Sequence, residues 1–122
     1  MARCDQGYLC EVCGDEVEDI TQSDLYLSYI LGLVPVRDLL TRRERHLACN
    51  PVQAQFIVDD AFPPVVVEGP FDKRLLDPES VRQQEELVTR GWRRLQEVRE
   101  LGLAIPDYPL PEVLARMPSR RQ

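Results

Sequence analysis

One histidine, one tryptophan and six glycines occur in 122 residues, and these scarcities exclude a good deal. A Ser-His or Cys-His nucleophile pair needs an imidazole of its own, and so does a metal-assisted nuclease. Only His46 could serve. No glycine-rich phosphate loop is present. The H-x-E segment and later P-C-x-x-C of zinc deaminases are also missing. No apolar run approaches the ~18 residues of a membrane-spanning helix, and the opening Met-Ala-Arg-Cys-Asp-Gln has no apolar stretch of the kind a secretory signal carries. The expectation is a chain in the cytoplasm, with no membrane contact, where thiols stay reduced.

Basic residues are the minority, 15 against 21 acidic, for a net charge of −6. A general nucleic-acid binder carries the opposite sign. Charge also alternates along the chain: residues 1–36 and 50–89 are acidic, residues 37–49 and 90–122 basic. Hydrophobic residues reach 43% and charged residues 30%, too apolar for a disordered chain. The length suits one domain, with a core of limited size.

What is present in quantity is clustered cysteine. Cys10-Glu11-Val12-Cys13-Gly14 is a C-x-x-C turn, Gly14 standing where a tight turn needs positive φ. His46-Leu47-Ala48-Cys49 is an H-x-x-C pair. Two intervening residues let a single turn present both donors of a pair to one ion, and Zn²⁺ favours tetrahedral thiolate and imidazole. Backbone N–H groups of the turn can also face the Cys10 sulfur. Cys49 precedes the start of an expected helix, whose partial positive charge would favour a thiolate. The expected ligands are Cys10, Cys13, His46 and Cys49, with zinc as the metal. Cys4 is left over and is expected to be a spectator.

Elements follow from caps and periodicity. Residues 8–14 read as a short β knuckle. Thr21 or Ser23 caps a helix near 24–32 that is apolar on almost every side and ends at Gly32. A short helical piece covers 36–40. Asn50, Pro51 and Gln53 start a helix over 51–58, with Val52, Phe56 and Ile57 facing inward. Val65-Val66-Val67 could form a brief strand. Asp77, Pro78 and Gly102 bracket a long helix near 78–101. Its apolar stripe holds Val81, Val88, Trp92, Leu95 and Val98. Arg82–Glu86, Glu86–Arg90 and Arg93–Glu97 are expected as i,i+4 pairs, and Gly91 as a point of close backbone approach. The proline-rich tail reads as extended, with one helical turn around 112–117. The fold class is α+β and mainly helical, one zinc-stabilised domain in which a 77–122 portion packs on a 1–76 portion.

The knuckle with its distant second pair resembles a treble-clef or zinc-ribbon-like finger over residues 8–58. Such fingers take two ligands from a turn after a strand and two from the start of a helix. The resemblance implies that Cys10 and Cys13 form the knuckle and that His46 and Cys49 supply the rest. Treble clefs carry a β-hairpin between the pairs, where residues 21–40 here read as helical.

Four good ligands close the site, whereas a catalytic zinc keeps a position open. Asp15-Glu16, Glu18-Asp19 and Asp59-Asp60 read as solvated turns and helix ends. The expected function is therefore non-enzymatic: a protein-interaction module whose apolar helix 24–33 meets a partner or a second copy. One alternative is a nucleic-acid-binding finger using Arg42, Arg43 and Arg45, with Trp92 and Arg90, Arg93 and Arg94 as a weaker surface because Trp92 lies on the apolar stripe. A thiol-redox or metal-handling protein is the other.

Overall fold

The computed structural model describes residues 8–116. Cys4, Met117 and the end of the tail therefore lie outside the described residues. The order of elements is β1 (Tyr8–Leu9), β2 (Glu16–Val17), α1 (Asp24–Ile30), α2 (Asp38–Thr41), α3 (Pro51–Ala54), α4 (Pro78–Glu97) and α5 (Pro111–Ala115), with short 3₁₀ turns between them. β1 and β2 pair antiparallel, with Tyr8 opposite Val17 and Leu9 opposite Glu16, so the knuckle is the turn of a small hairpin. No helix among the described residues is long and apolar enough to cross a membrane.

α1 forms where its cap and apolar run place it. The Ser23 hydroxyl accepts from the Tyr26 N–H at 3.1 Å, so Ser23 rather than Thr21 is the cap. Gly32 ends the turn at φ +82°. Leu25, Tyr26, Leu27, Tyr29, Ile30 and Leu31 are all buried. Their cover comes from within the chain. α4 packs across α1 with Val88, Trp92 and Leu95, and the tail closes the other side with Tyr108, Leu110 and Val113. The surplus face that motivated a partner at helix 24–33 is thus internal, Leu33 alone projecting beyond it at 62% exposure.

The tail belongs to the core. Leu110 N–H donates to the Ile30 carbonyl at 3.1 Å, and the Tyr29 hydroxyl to the Ile105 carbonyl at 2.9 Å. An extended, proline-rich segment can do this because the Leu110 N–H precedes α5 and has no helical partner. The Ile105 carbonyl accepts the Tyr29 hydroxyl on the lone pair that the Tyr108 N–H of its own turn does not use.

Several local expectations change. α3 stops after four residues instead of reaching 58. The chain tightens into i→i+3 turns at Phe56 and Ile57, and the Val58 N–H is used elsewhere, donating to Thr89 Oγ1 at 2.9 Å. The buried Gln55 amide leaves the helix to bond the Phe71 carbonyl and the Lys73 N–H. Val52 is exposed while Phe56 and Ile57 are buried. Val65-Val66-Val67 forms no strand. The second short helix is Asp38–Thr41 rather than 36–40. α4 ends at Glu97, four residues earlier than expected.

None of the expected i,i+4 pairs forms among the described residues: Arg82 pairs one turn back along α4, and the other arginines at and just past its C-terminal half pair across the fold. Arg93 meets Asp59 at 2.7 Å, and Arg99 meets Asp19 at 2.7 Å. Arg90 pairs with Glu112, and Arg82 with Glu79. An i,i+4 pair is worth only about 0.3–0.5 kcal/mol, so a carboxylate brought close by the fold readily takes its place. Gly91 is a close approach, but of side chains: a Cβ there would sit 2.5 Å from Leu31 Cδ2 and 3.2 Å from Leu27 Cδ1. The missing side chain lets α1 and α4 come together at the centre of the core.

Candidate metal centre

Two chain segments build the site. The hairpin turn supplies Cys10 and Cys13. Cys10 N–H donates to the Asp15 carbonyl at 2.8 Å, and Gly14 N–H to the Cys10 carbonyl at 2.9 Å, with Gly14 at φ +81°. That backbone curls the turn around the Cys10 sulfur, toward which the Val12 N–H points at 3.4 Å. The second pair arrives on residues 44–49, His46 standing 33 positions after Cys13. Two backbone bonds dock this segment: Glu11 N–H to the Glu44 carbonyl at 2.9 Å, and Asp24 N–H to the Arg45 carbonyl at 2.8 Å. Ser23 and His46 form an antiparallel bridge. Cys49 then follows on a 3₁₀ turn, Leu47–Cys49, which brings its sulfur back beneath His46.

The result gathers all four residues expected from sequence. One donor atom from each of Cys10, Cys13, His46 and Cys49 lies within 4.8 Å of the others. His46 Nδ1 is 3.3 Å from Cys13 Sγ and 3.8 Å from Cys49 Sγ. A tetrahedral zinc with Zn–S of ~2.3 Å and Zn–N of ~2.0 Å requires donor-to-donor edges of roughly 3.5–3.8 Å. The group could hold a metal ion. Cys10 is buried, Cys49 half-buried and Cys13 exposed, so the cluster sits at the surface with one sulfur deep.

The imidazole orientation carries more information. His46 Nε2 lies 2.9 Å from the Glu16 carbonyl. A carbonyl oxygen can only accept, so Nε2 carries a proton, and in the neutral imidazole the Nδ1 lone pair faces the sulfurs. This is the arrangement that a ligating histidine takes, its second nitrogen held by a backbone acceptor. The Glu16 carbonyl escapes a sequence search because a main-chain oxygen has no residue signature. The proximity of β2 to the knuckle was the available signal.

The thiols are unequal. Burial opposes ionisation of Cys10, yet N–H groups of Cys13, His46 and Val12 directed at its sulfur prevail and bring it from 9.0 down to about 6. Cys49 moves the other way, to about 12, because burial and the neighbouring Cys10 and Cys13 sulfurs all disfavour a second negative charge. The expected help from a helix start is absent. α3 has only four residues, and its field does not outweigh two adjacent thiols. Burial lowers the affinity of His46 for a proton, but the Glu16 carbonyl and the Cys10 thiolate more than offset it, so the imidazole titrates above its ordinary range.

A buried polar layer supports the second pair from below. Asp24, 2% exposed, accepts from Asn50 at 3.1 Å and Gln53 at 3.0 Å and meets Arg45 at 3.1 Å. Asn50 and Gln53 thus serve a buried carboxylate, not the expected capping of α3. Burial pushes the Asp24 carboxyl up, against the opposing pull of Arg45. Glu44, 3% exposed, accepts the Ser23 hydroxyl on Oε1 at 2.6 Å, while Oε2 has no partner among the described residues.

Glu44 provides a pH test. Burial raises its carboxyl above the ordinary 4.5; the Ser23 hydroxyl pulls part of the way back, and the Asp24 charge adds to the rise. A folded-state value above the unfolded one means that its favourable contribution is complete below pH 4.5. That contribution is lost as pH climbs through the raised value. Glu44→Gln should therefore gain on the native protein as pH rises from 4.5 toward 8, in urea melts of the two proteins side by side. A gap that moves in the opposite direction would mean that the fold needs the charge.

The arginines of the nucleic-acid alternative are mostly engaged inside the chain. Arg42 pairs with Asp38 at 2.9 Å, and Arg45 with Asp24 and Glu11. Arg94 donates to the Tyr108 and Asp107 carbonyls. Trp92 is 7% exposed and stacks edge-on against Phe62 with centroids 5.8 Å apart. Comparison with protein-family models, curated proteins and solved structures finds no match to this chain.

Proposed function

We propose that this chain is a small non-enzymatic interaction module, folded around one structural zinc ion held by Cys10, Cys13, His46 and Cys49. The observation that carries the reading is the donor geometry: four ligand atoms within 4.8 Å, and an imidazole whose far nitrogen is already committed to a carbonyl. Thiolate-rich sets of this kind favour zinc. With four protein donors no position is left for a water or substrate, which is the mark of a structural ion. A dication also removes the obstacle at Cys49, since a coordinating thiol gives up its proton outright. The cytoplasm, where thiols stay reduced, suits such a site.

Closing 33 residues of chain onto the knuckle supplies stability that a core of this size has little of in reserve. The hairpin knuckle and the second pair at the entry to α3 fit a treble-clef-like finger, here with a helix of a single turn. Internal pairing of Arg42, Arg45, Arg90, Arg93 and Arg94 and the net charge of −6 favour a protein partner over nucleic acid. The test is metal content. Protein purified without chelator should hold one zinc per chain, and cobalt exchanged into it should give the visible bands of a tetrahedral sulfur-rich site. Metal-free protein, or an octahedral cobalt spectrum, would overturn the reading.

A further inference from the structure

Beside the metal centre lies an open groove with a volume of about 580 Å³, its walls including Gln22, His46, Leu47, Phe62, Trp92 and Gln96. That volume is within the range of ligand clefts, ~300–1,000 Å³. Its floor is apolar: Leu47 and Trp92 are buried, and the exposed Ala48 has too small a side chain to fill the space above them. Its polar groups are amides. Gln96 Nε2 donates to the Thr21 carbonyl at 3.0 Å, which leaves its oxygen as an acceptor. The exposed Gln22 amide has no partner among the described residues. An amide can both donate to and accept from a peptide backbone.

The charges around the groove have one sign to spare. The arginines next in sequence after Trp92 and Gln96 are neutralised across the fold, Arg93 on α4 by Asp59 and Arg99, just past its end, by Asp19. Asp15, Glu16 and Glu18 on the hairpin are exposed and have no ion pair among the described residues. The hairpin is tied to the groove wall through the Glu16 carbonyl and His46. Asp60, two residues before the groove-lining Phe62, is likewise exposed and has no ion pair among the described residues. Three thiolates around a dication add one further negative charge.

We infer that this groove binds an extended, lysine- or arginine-bearing peptide segment of a partner protein. Apolar side chains of the segment would lie over Leu47 and Trp92, the two glutamine amides would meet its backbone, and its cations would face the acidic hairpin. The inference rests on the interaction-module reading and names its surface and partner chemistry. Charge complementarity across an apolar floor selects this occupant over a nucleic acid, whose phosphates the same carboxylates would repel.

Trp92 is the only tryptophan, so its emission reports on the groove directly. The zinc-loaded full chain should be titrated with a terminally blocked octapeptide of alternating lysine and leucine, and with its glutamate–leucine counterpart. The basic peptide should shift Trp92 emission saturably and bind more weakly as salt is added. The acidic peptide should leave emission unchanged. Gln22→Lys and Glu18→Lys, both at exposed positions, should each weaken binding at least fivefold while zinc stays at one per chain. Equal response to the acidic peptide, no saturable shift, unaltered affinity in both variants, or displacement by a single-stranded oligonucleotide would overturn the groove assignment. An emission change on simple dilution of the protein would overturn it in favour of a second copy. Failure of binding with zinc retained leaves the metal clasp standing, whereas peptide binding by a zinc-free, folded chain sinks the clasp and keeps the groove.

Discussion

Cys10→Ser is expected to abolish stoichiometric zinc binding and to cost the protein about 5 kcal/mol or more, enough to unfold the knuckle and loosen the second ligand pair. Cys10 is the buried donor, 2% exposed, and the backbone has been shaped around its sulfur: N–H groups of Val12, Cys13 and His46 all face it. A serine hydroxyl is shorter, harder and reluctant to ionise, so it neither holds zinc well nor replaces the acceptor those N–H groups need. Structural zinc contributes apparent binding energies of ~10–16 kcal/mol in small domains, and that energy is folding energy because no preformed site exists in the unfolded chain. Total stability of domains is only about 5–15 kcal/mol, so losing even part of the metal's share is decisive. A strong chelator added to the native protein should reproduce the effect, with far-UV and near-UV dichroism collapsing together. Cys13→Ser should do less harm to the fold, since that sulfur is at the surface. If Cys10→Ser melts like the native chain and keeps its zinc, the metal reading is wrong.

Asp24→Ala should be the most damaging change away from the cluster, at about 3 kcal/mol. The Asp24 carboxylate joins α1 to the segment that delivers His46 and Cys49, through Arg45, Asn50 and Gln53. Its removal leaves two amides without their acceptor in a partly buried layer, and each such loss is expensive. Arg45 suffers less, because it is 37% exposed and can turn wholly to Glu11. The same residue should affect the metal without touching it. Loss of an outer support that orients ligands lowers affinity by ~10–100-fold, which competition with a chromophoric chelator would measure. Asp24→Asn keeps the shape and one acceptor and should show a smaller fraction of both losses. Zinc affinity unchanged in Asp24→Ala, alongside a lower urea midpoint, would confine Asp24 to the core.

The reading of the ligands from sequence depended on local chemistry. A C-x-x-C turn with glycine after it and an H-x-x-C pair can be recognised without any tertiary information, because each pair is built by a single turn of backbone. The structure brings those four donors together. The helix starts at Ser23 and Asp77 were legible for the same reason: a cap bonds an N–H two or three residues away. The end of α3 was not legible, since Gln55 and Thr89 draw its continuation into bonds with chain 16 and 31 residues away. The helix pairs predicted along α4 failed because Asp59 and Glu112 reach Arg93 and Arg90 from other segments, while Arg82 takes Glu79 in its own helix.

By itself, the sequence determined which four side chains could share one ion, the principal helix N-termini and the apolar stripe through Val88, Trp92 and Leu95. All of these arise from contacts within a few residues of one another. Only the tertiary structure decided that the tail closes the core over α1, that Glu16 lends a carbonyl to His46, and that a groove opens between Trp92 and the metal centre. Those depend on which distant segments share the same space, and burial of apolar surface, which drives that choice, has no direction of its own.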